Sequence, residues 1–464
     1  MNRKIIAILG GGLSGLSAAL FLLKEKVNAE VHIFEKEEKL GGLVSANIIN
    51  NNIYEYGPHF FHSKDLEVLN TIKDLSKDIL INFNRTILIK FLDNYFAYPL
   101  SMIEVLKKLP KTTVTKAFLN MFYSNFLRIF RRGHIFKNSE ELLLAYYGKT
   151  LYELFFKNYI YNVWGIYPSE FSPDFAQQRI PNIAASTFLN KIIKKFKKKN
   201  KDLNTKNYIE NIEGEYFTTP EGYNGITKRI INFLENNGAR IHLNEEIKEI
   251  LIQDNIIGEV LIYNNKLKNE YLFKVDNIIS SLPINEAVLS IKPEPPREVI
   301  KSAHKLEFRS LVFIGLLINK PKVLPVSFMY FREHSFNRIY DSYYFRHETN
   351  IPDTTILVAE ISSSGNDNYW NDRKYCEDRV LEDLLRENIL KEEDILEINV
   401  YKYKHGYPIY KTGYKEDLQE IFNFISTLNN FKTVGRQGQF QYVNGHVAIK
   451  MGFEAAKELL KEIL

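Results

Sequence analysis

Gly10, Gly12 and Gly15 are spaced as GxGxxG, and Glu35 follows the last of them by twenty residues. Such a loop offers backbone N–H groups, so the chemistry it suits is the holding of an anion. The first glycine allows a tight turn, the second lets the backbone approach a pyrophosphate, and the third lets a helix pack closely on a strand. With a strand before the glycines and a helix after them, the free N–H groups and partial positive charge of the helix N-terminus face the phosphates. A carboxylate at the end of the next strand accepts hydrogen bonds from ribose hydroxyls and repels a 2′-phosphate. Leu13, Ser14 and Lys36 complete this candidate dinucleotide set. A tight turn with no ligand would leave Glu35 without a role.

A second group of side chains suits a substrate. His59 and His62 follow the Gly57-Pro58 corner, where side chains can face a ligand, although ordinary loop histidines would look the same. Arg179 and Arg338 each offer a rigid donor fork that stays charged in a pocket and matches a diphosphate. They must converge in space to act together, and taken singly each reads as a surface ion-pair residue. Trp164 is one of two tryptophans, and a single buried tryptophan reads more readily as core than as a ligand platform. With 28 tyrosines in the chain, none stands out by composition.

These residues need elements to hold them. Lys4 to Leu9 is an isoleucine-rich run that reads as a strand, and Leu16, Ala19, Leu20 and Leu23 recur at helical spacing after the glycine turn. Val31 to Phe34 reads as the next strand of a βαβ unit, ending at Glu35. From about residue 96 to 195 the pattern becomes aromatic-rich and helical, with Phe118, Met121, Phe122, Phe126 and Phe130 at spacings of three and four. Gly222 and Gly225 open a helix through Ile226, Ile230 and Phe233, and Val275 to Ser280 reads as a buried strand that rejoins the first sheet. Alternation at Leu311 to Ile318 and Ile356 to Ile361 predicts antiparallel strands. A last helix is expected from Ala448 to Ile463. The chain therefore reads as a discontinuous α/β cofactor domain carrying a helical insertion and a sheet insertion, in keeping with a length well beyond one ordinary domain.

FAD and NAD share the glycine fingerprint, and Leu40-Gly41-Gly42-Leu43 separates them. Glycines just after the acidic strand resemble the extended FAD motif of the amine oxidase and protoporphyrinogen oxidase superfamily, which implies one non-covalently held FAD with Gly41, Gly42 and Leu43 passing under the flavin. Further segments resemble that superfamily's UDP-galactopyranose mutase-like branch. Tyr56-Gly57-Pro58-His59-Phe60-Phe61-His62 is similar to the segment beside the isoalloxazine, with His59 nearer the flavin edge. Asn158-Tyr159 through Val163-Trp164-Gly165 to Gln178-Arg179 resembles the helical lining of a sugar-nucleotide pocket, and Tyr407-Pro408 and Gly435-Arg436 through Tyr442 resemble the closing motifs. The resemblance runs from end to end and is weak between about 184 and 212.

The resemblance implies a Rossmann-like FAD-binding domain of the GR2 type built from 1–95, 215–285 and 430–464. It also implies a helical substrate or lid segment over 96–214 and an antiparallel β-sheet substrate domain over 286–429. It makes His59, His62, Arg179 and Arg338 the catalytic candidates, with Tyr159, Trp164, Tyr407 and Tyr442 beside the two arginines around the substrate. Gly435, Arg436, Tyr442 and Asn444 would stand where a helix N-terminus points at the flavin pyrimidine ring and favours negative charge there. Asn444 departs from the branch, which carries an aspartate at that position. Ser169 to Arg179 looks more like the protoporphyrinogen oxidase-like oxidoreductases.

Two chemistries follow. The preferred one is an FAD-dependent oxidoreductase that passes hydride from a C–H bond next to nitrogen or oxygen to flavin N5, on a small polar metabolite with nucleotide sugars among the candidates. The alternative is a redox-neutral UDP-sugar mutase in which reduced flavin N5 is the nucleophile at the anomeric carbon. Lys and Arg number 61 against 56 acidic residues, which carries no nucleic-acid signal. Cys376 is the sole cysteine, so no internal disulfide or thiol metal site is expected, and the compartment reads as reducing and cytoplasmic. The ten histidines show no ligand spacing for a metal. No apolar run is long enough for a membrane-spanning helix. Seven lysines between 191 and 201 read as a solvated helix end and loop, with contact to anionic lipid as the other reading, which leaves peripheral membrane contact open.

Overall fold

The computed structural model describes residues 3–91, 94–98, 107–130, 134–179 and 215–463; the lysine-rich 191–201 stretch lies outside them. Its first layer is a parallel sheet of five strands in the order Phe431–Thr433, Asn277–Ser280, Lys4–Leu9, Ala29–Glu35, Arg240–Leu243. Both faces are covered, which is why these strands read as nearly continuous apolar runs. Ile6 and Ile8 face one side, where they pack with Leu16, Ala19 and Leu20 of helix Leu13–Lys24 and Phe453 of helix Gly445–Ile463. Ala7 and Leu9 face the other, against Ile250, Val260 and Ile262. Those three belong to an antiparallel meander, Glu245–Gln253, Ile256–Asn264 and Asn269–Lys274. The sequence reading treated this stretch only as part of a returning βα pattern.

Two backbone contacts fix the first layer. A Cβ on Gly15 would lie 2.2 Å from the Gly10 carbonyl oxygen, and one on Gly452 would lie 2.4 Å from that of Ser14. The helix after the glycine turn is thus held on its strand and on the C-terminal helix by bare backbone, with the third glycine serving the packing role expected of it.

The second layer is a seven-stranded sheet in the order Ile395–Pro408, Phe308–Ile318, Thr355–Ser363, Arg338–Asp341, Phe328–Phe331, Ile87–Phe91, Asn94–Ala97. Its pairing is antiparallel except between 328–331 and 87–91, which run parallel. The sequence assigned this sheet to residues after 286; two of its strands come from 87–97 instead. Val312, Ile314 and Leu316 turn toward Cys376, Val380 and Leu384 of helix Arg373–Arg386, while Leu311, Phe313 and Leu317 join the central core.

Helices Lys111–Phe130, Ser139–Tyr152, Asn158–Trp164 and Pro173–Arg179, with a π-helical turn at Glu153–Lys157, form a helical group beside the second sheet, where Leu151 and Phe155 pack with Phe91 and Phe96 of its last two strands. Fully buried Glu55 joins the layers: its carboxylate accepts the Tyr223 N–H at 2.8 Å, and its carbonyl accepts the hydroxyls of Tyr340 and Tyr401 at 3.0 and 2.8 Å.

Because Gly452 touches backbone, Gly452→Val forces the two helices apart. It is expected to cost roughly 1–3 kcal/mol of stability, read as a lowered urea midpoint. Gly258→Ala, whose Cβ would meet nothing within 4 Å, should leave the midpoint unchanged.

Candidate functional site

One cavity of about 1330 Å³ runs between the layers, from the glycine turn to an aromatic wall that includes Tyr98 and Tyr159. Every candidate residue named from sequence lines it except Gly15, whose place is in the packing beneath.

At the dinucleotide end, Gly10 has a φ of +95° and turns the chain out of the first strand. Gly12 is different: its φ of −71° and ψ of 171° suit any residue, yet a Cβ there would meet nothing within 4 Å. The backbone does not demand glycine at this position, so the missing side chain is explained by what approaches it from the cavity. Helix Leu13–Lys24 starts at that point without a side-chain cap and without an acidic residue in its first turn, which leaves its first N–H groups for a ligand. Leu13 and Ser14 line the cavity from this turn.

The second glycine pair lies against the first. The Gly41 N–H donates to the Gly11 carbonyl at 2.8 Å, and Gly12 and Gly41 form an isolated parallel bridge. Glu35 accepts the Gly11 N–H at 2.8 Å and the Glu37 N–H at 3.1 Å. Burial pushes its carboxyl above the usual range against the pull of those two N–H groups. Lys36, Gly42 and Leu43 line the same end. Gly435 closes it, since a Cβ there would lie 2.4 Å from the Ser14 hydroxyl. Arg436 braces the closing loop by donating to the carbonyls of Val443 and Gly406. The Asn444 carbonyl accepts the Ala448 N–H at 3.0 Å, which puts Asn444 at the start of helix Gly445–Ile463. An open backbone at Gly12, an uncapped helix and a fixed carboxylate together fit an adenine dinucleotide.

At the substrate end the two arginines do converge. Arg338 and Glu360 sit directly opposite each other in antiparallel register. The Arg338 guanidinium donates to Glu360 through Nε at 3.1 Å and through Nη2, and the other carboxylate oxygen of Glu360 accepts the Tyr407 hydroxyl at 2.9 Å. Burial alone would lower the Arg338 pKa, and the Glu360 carboxylate outweighs it and holds the pKa well above the usual value. Arg179, at the end of its helix, places its guanidinium 3.2 Å from the Tyr442 ring centroid, and Arg436 lies 4.7 Å from the same centroid. Burial would raise the Tyr442 phenol, but Arg179, Arg436 and Arg338 together bring it below its ordinary value. The Tyr407 ring is 4.8 Å from Tyr442, and Trp164 is 5.6 Å from Tyr407. Trp164 is both things the sequence left open: 7% exposed and edge-on to Phe171 and Phe175, it is core that also lines the cavity.

His59 lines the cavity with an unpartnered Nδ1. Burial, aided by Arg338 and Arg436, takes its pKa down to about 3, so the imidazole is neutral at ordinary pH. His62 has His446, Tyr216 and Phe60 as its ring neighbours. Sequence reasoning missed Glu360, and the signal was present: it is the single carboxylate in the wholly buried strand Thr355–Ser363. It also missed Arg332, which donates to the carbonyls of Leu154 and Phe155 at the π-helical turn and lies 5.1 Å from the Tyr159 ring centroid. No group of three metal-ligating side chains occurs among the described residues.

Across residues 13–414 the chain matches the family model described as flavin containing amine oxidoreductase. A structure of reduced UDP-galactopyranose mutase superposes with a TM-score of 0.79 at 18% identity, over 99% of this chain and 94% of that one. A protein from Exiguobacterium sp. 255-15, described as a candidate protoporphyrinogen oxidase, gives 0.71 at 14% identity, over 100% and 99%. At those identities the likeness shows the fold. A curated relative from Klebsiella pneumoniae, named a probable UDP-galactopyranose mutase, is 26% identical over 188 residues. That alignment covers 39% of this chain and 46% of the relative, so the chain spans under half the length of the curated protein it matches.

A histidine held neutral by its surroundings contributes stability that is complete above its unfolded value near 6.5 and is lost as pH falls from there toward 3. The unfolding midpoint should therefore drop between about pH 6.5 and pH 4.5, and His59→Gln should make that drop shallower. An unchanged slope in the variant would show that His59 protonates freely.

Proposed function

The chain belongs to the flavin containing amine oxidoreductases, with FAD as its cofactor, and from that premise we propose that it acts on a nucleotide diphosphate sugar in the manner of UDP-galactopyranose mutase. The observation that carries the reading is the convergence of Arg179 and Arg436 on Tyr442, 3.2 and 4.7 Å from its ring centroid, at the end of the cavity that Arg338 also lines. Among the described residues only Arg338 of the three has a carboxylate within 4.0 Å. Two guanidinium groups are thus left uncompensated at one end of a cavity whose other end suits a dinucleotide, and a diphosphate supplies the matching charge.

In this reading Arg179 and Arg436 hold the diphosphate oxygens. Glu360 fixes the Arg338 fork through one carboxylate oxygen and the Tyr407 hydroxyl through the other, so that Arg338 orients the leaving phosphate without drifting toward it. The Tyr442 phenol donates to a phosphate oxygen, and Trp164 and Tyr159 pack along the sugar and base and keep water out. His59, neutral, can donate or accept a hydrogen bond at the flavin side without adding charge. FAD, when bound and reduced, would supply the nucleophile that displaces the nucleoside diphosphate from the anomeric carbon.

A second reading, FAD-dependent oxidation of a small polar metabolite, is favoured by Asn444, which stands where the mutase-like branch carries an aspartate. Calorimetric titration of UDP into the oxidised and the dithionite-reduced protein, with product analysis on UDP-sugars, separates the two. Binding of UDP, weakened about 10- to 100-fold by Arg179→Ala through loss of charge-assisted hydrogen bonds, and turnover only after reduction are the expected results. No UDP binding, together with anaerobic bleaching of the flavin by an amine or alcohol, would favour the oxidase.

A further inference from the structure

Helix Lys111–Phe130 buries one side. Ala117 is 2% exposed, and Val114 and Met121 pack with Leu109, Leu151 and Phe155. The opposite side of such a helix is ordinarily polar. Here it is not: Phe118 is 46% exposed, Leu119 66%, Phe122 75%, Tyr123 62% and Phe126 50%. Spaced at i, i+1, i+4, i+5 and i+8, these residues form one apolar stripe two turns long. Ile135, five residues past the helix, is 87% exposed. Isolated exposed hydrophobics need no explanation, but a contiguous stripe does.

The charge around the stripe is equally one-sided. From Val105 to Asn138 the sequence holds eight lysines and arginines and no aspartate or glutamate, whereas over the rest of the chain acidic residues outnumber basic ones. Lys107, Lys111, Lys116 and Lys137 are exposed. Some of the basic groups also serve the protein itself, since Lys108 donates to the Tyr95 carbonyl and Arg128 stacks 4.3 Å from the Tyr146 ring centroid.

We propose that this face seats on an anionic lipid bilayer, with the Phe118-Leu119-Phe122-Tyr123-Phe126 stripe entering the headgroup boundary and the surrounding lysines meeting lipid phosphates. An amphipathic helix with aromatic residues on one side and basic residues around them is built to lie in that boundary, and the long lysine side chains reach the headgroups while their stems cover apolar surface. Among the described residues no helix is long and apolar enough to cross a membrane, so the helix lies on the bilayer. A second copy of the chain fits the face less well, because pairing it with itself would bring the exposed Lys107, Lys111, Lys116 and Lys137 of two copies together.

The test is sedimentation of the FAD-loaded full chain with vesicles of phosphatidylcholine alone and of phosphatidylcholine with about 30% phosphatidylglycerol. Each is run at about 0.1 M and about 0.5 M salt, between which the screening length shortens about twofold. The expected results are at least a tenfold preference for the anionic vesicles, loss of that preference at high salt, and a tenfold or greater loss in the variant Leu119→Ser, Phe122→Ser, Tyr123→Ser. Retained flavin absorbance shows that the variant is folded, and Phe122→Ser alone, expected to lose part of the binding, serves if the triple variant is not. A wild-type chain that stays in the supernatant with every vesicle overturns the proposal. So does vesicle binding that the serine variants leave unchanged. A wild-type dimer in sedimentation velocity that the same variants dissociate would assign the face to self-association instead.

Discussion

Backbone brought within contact distance of other backbone is the constraint on which this molecule depends. Gly15 lets helix Leu13–Lys24 rest on the carbonyl of Gly10, and Gly452 lets the C-terminal helix rest on that of Ser14. Their combined effect is to hold one helix N-terminus, uncapped, at the floor of a large cavity. Gly12 then leaves open space above it. A side chain at any of these three positions would crowd the start of that helix, where free N–H groups suit an anion. The Gly41–Gly42 loop, the Gly435 turn and the Glu35 carboxylate are all positioned relative to that floor.

At the far end of the cavity the governing interaction is electrostatic. Cations buried near one another repel, and desolvating them costs more than their mutual arrangement returns unless anions are supplied. The protein supplies one, Glu360, placed opposite Arg338 by strand register and tied to Tyr407. Aromatic faces of Tyr442 and Tyr407 support Arg179 and Arg436 without neutralising them. His59 avoids adding to the charge by staying neutral. The result is one end of the cavity that carries net positive charge, in the same cavity as the glycine turn.

Local features were legible in the sequence. The βαβ unit, the glycine spacing and Glu35 depend on contacts within about thirty residues, and the strand, the turn and the helix fall where the apolar periodicity puts them. Contacts between distant segments were not legible. Nothing in the pattern around Arg338 announces Glu360 as its cross-strand partner, and nothing near 87–97 says that those residues extend the second sheet, because strand pairing at long range leaves no local period. The meander at 245–274 was blurred for another reason: it is buried mainly on one face, with Ile250, Val260 and Ile262 turned inward and charged residues turned out, so few apolar residues mark its strands. The convergence of Arg179 with Tyr442 came only from family likeness, and the structure gives it a geometry. Glu360 could have been found by asking why a carboxylate sits in the middle of an apolar strand.

The most direct measurement is the flavin content of a Gly12→Val variant beside the wild-type chain, by absorbance of the purified, folded proteins. The backbone at Gly12 accommodates valine without strain, so folding should be kept, while the added methyl groups occupy the phosphate space. The expected result is a yellow wild type and a folded, colourless variant. A variant that keeps its full complement of FAD would place the phosphates elsewhere and contradict it.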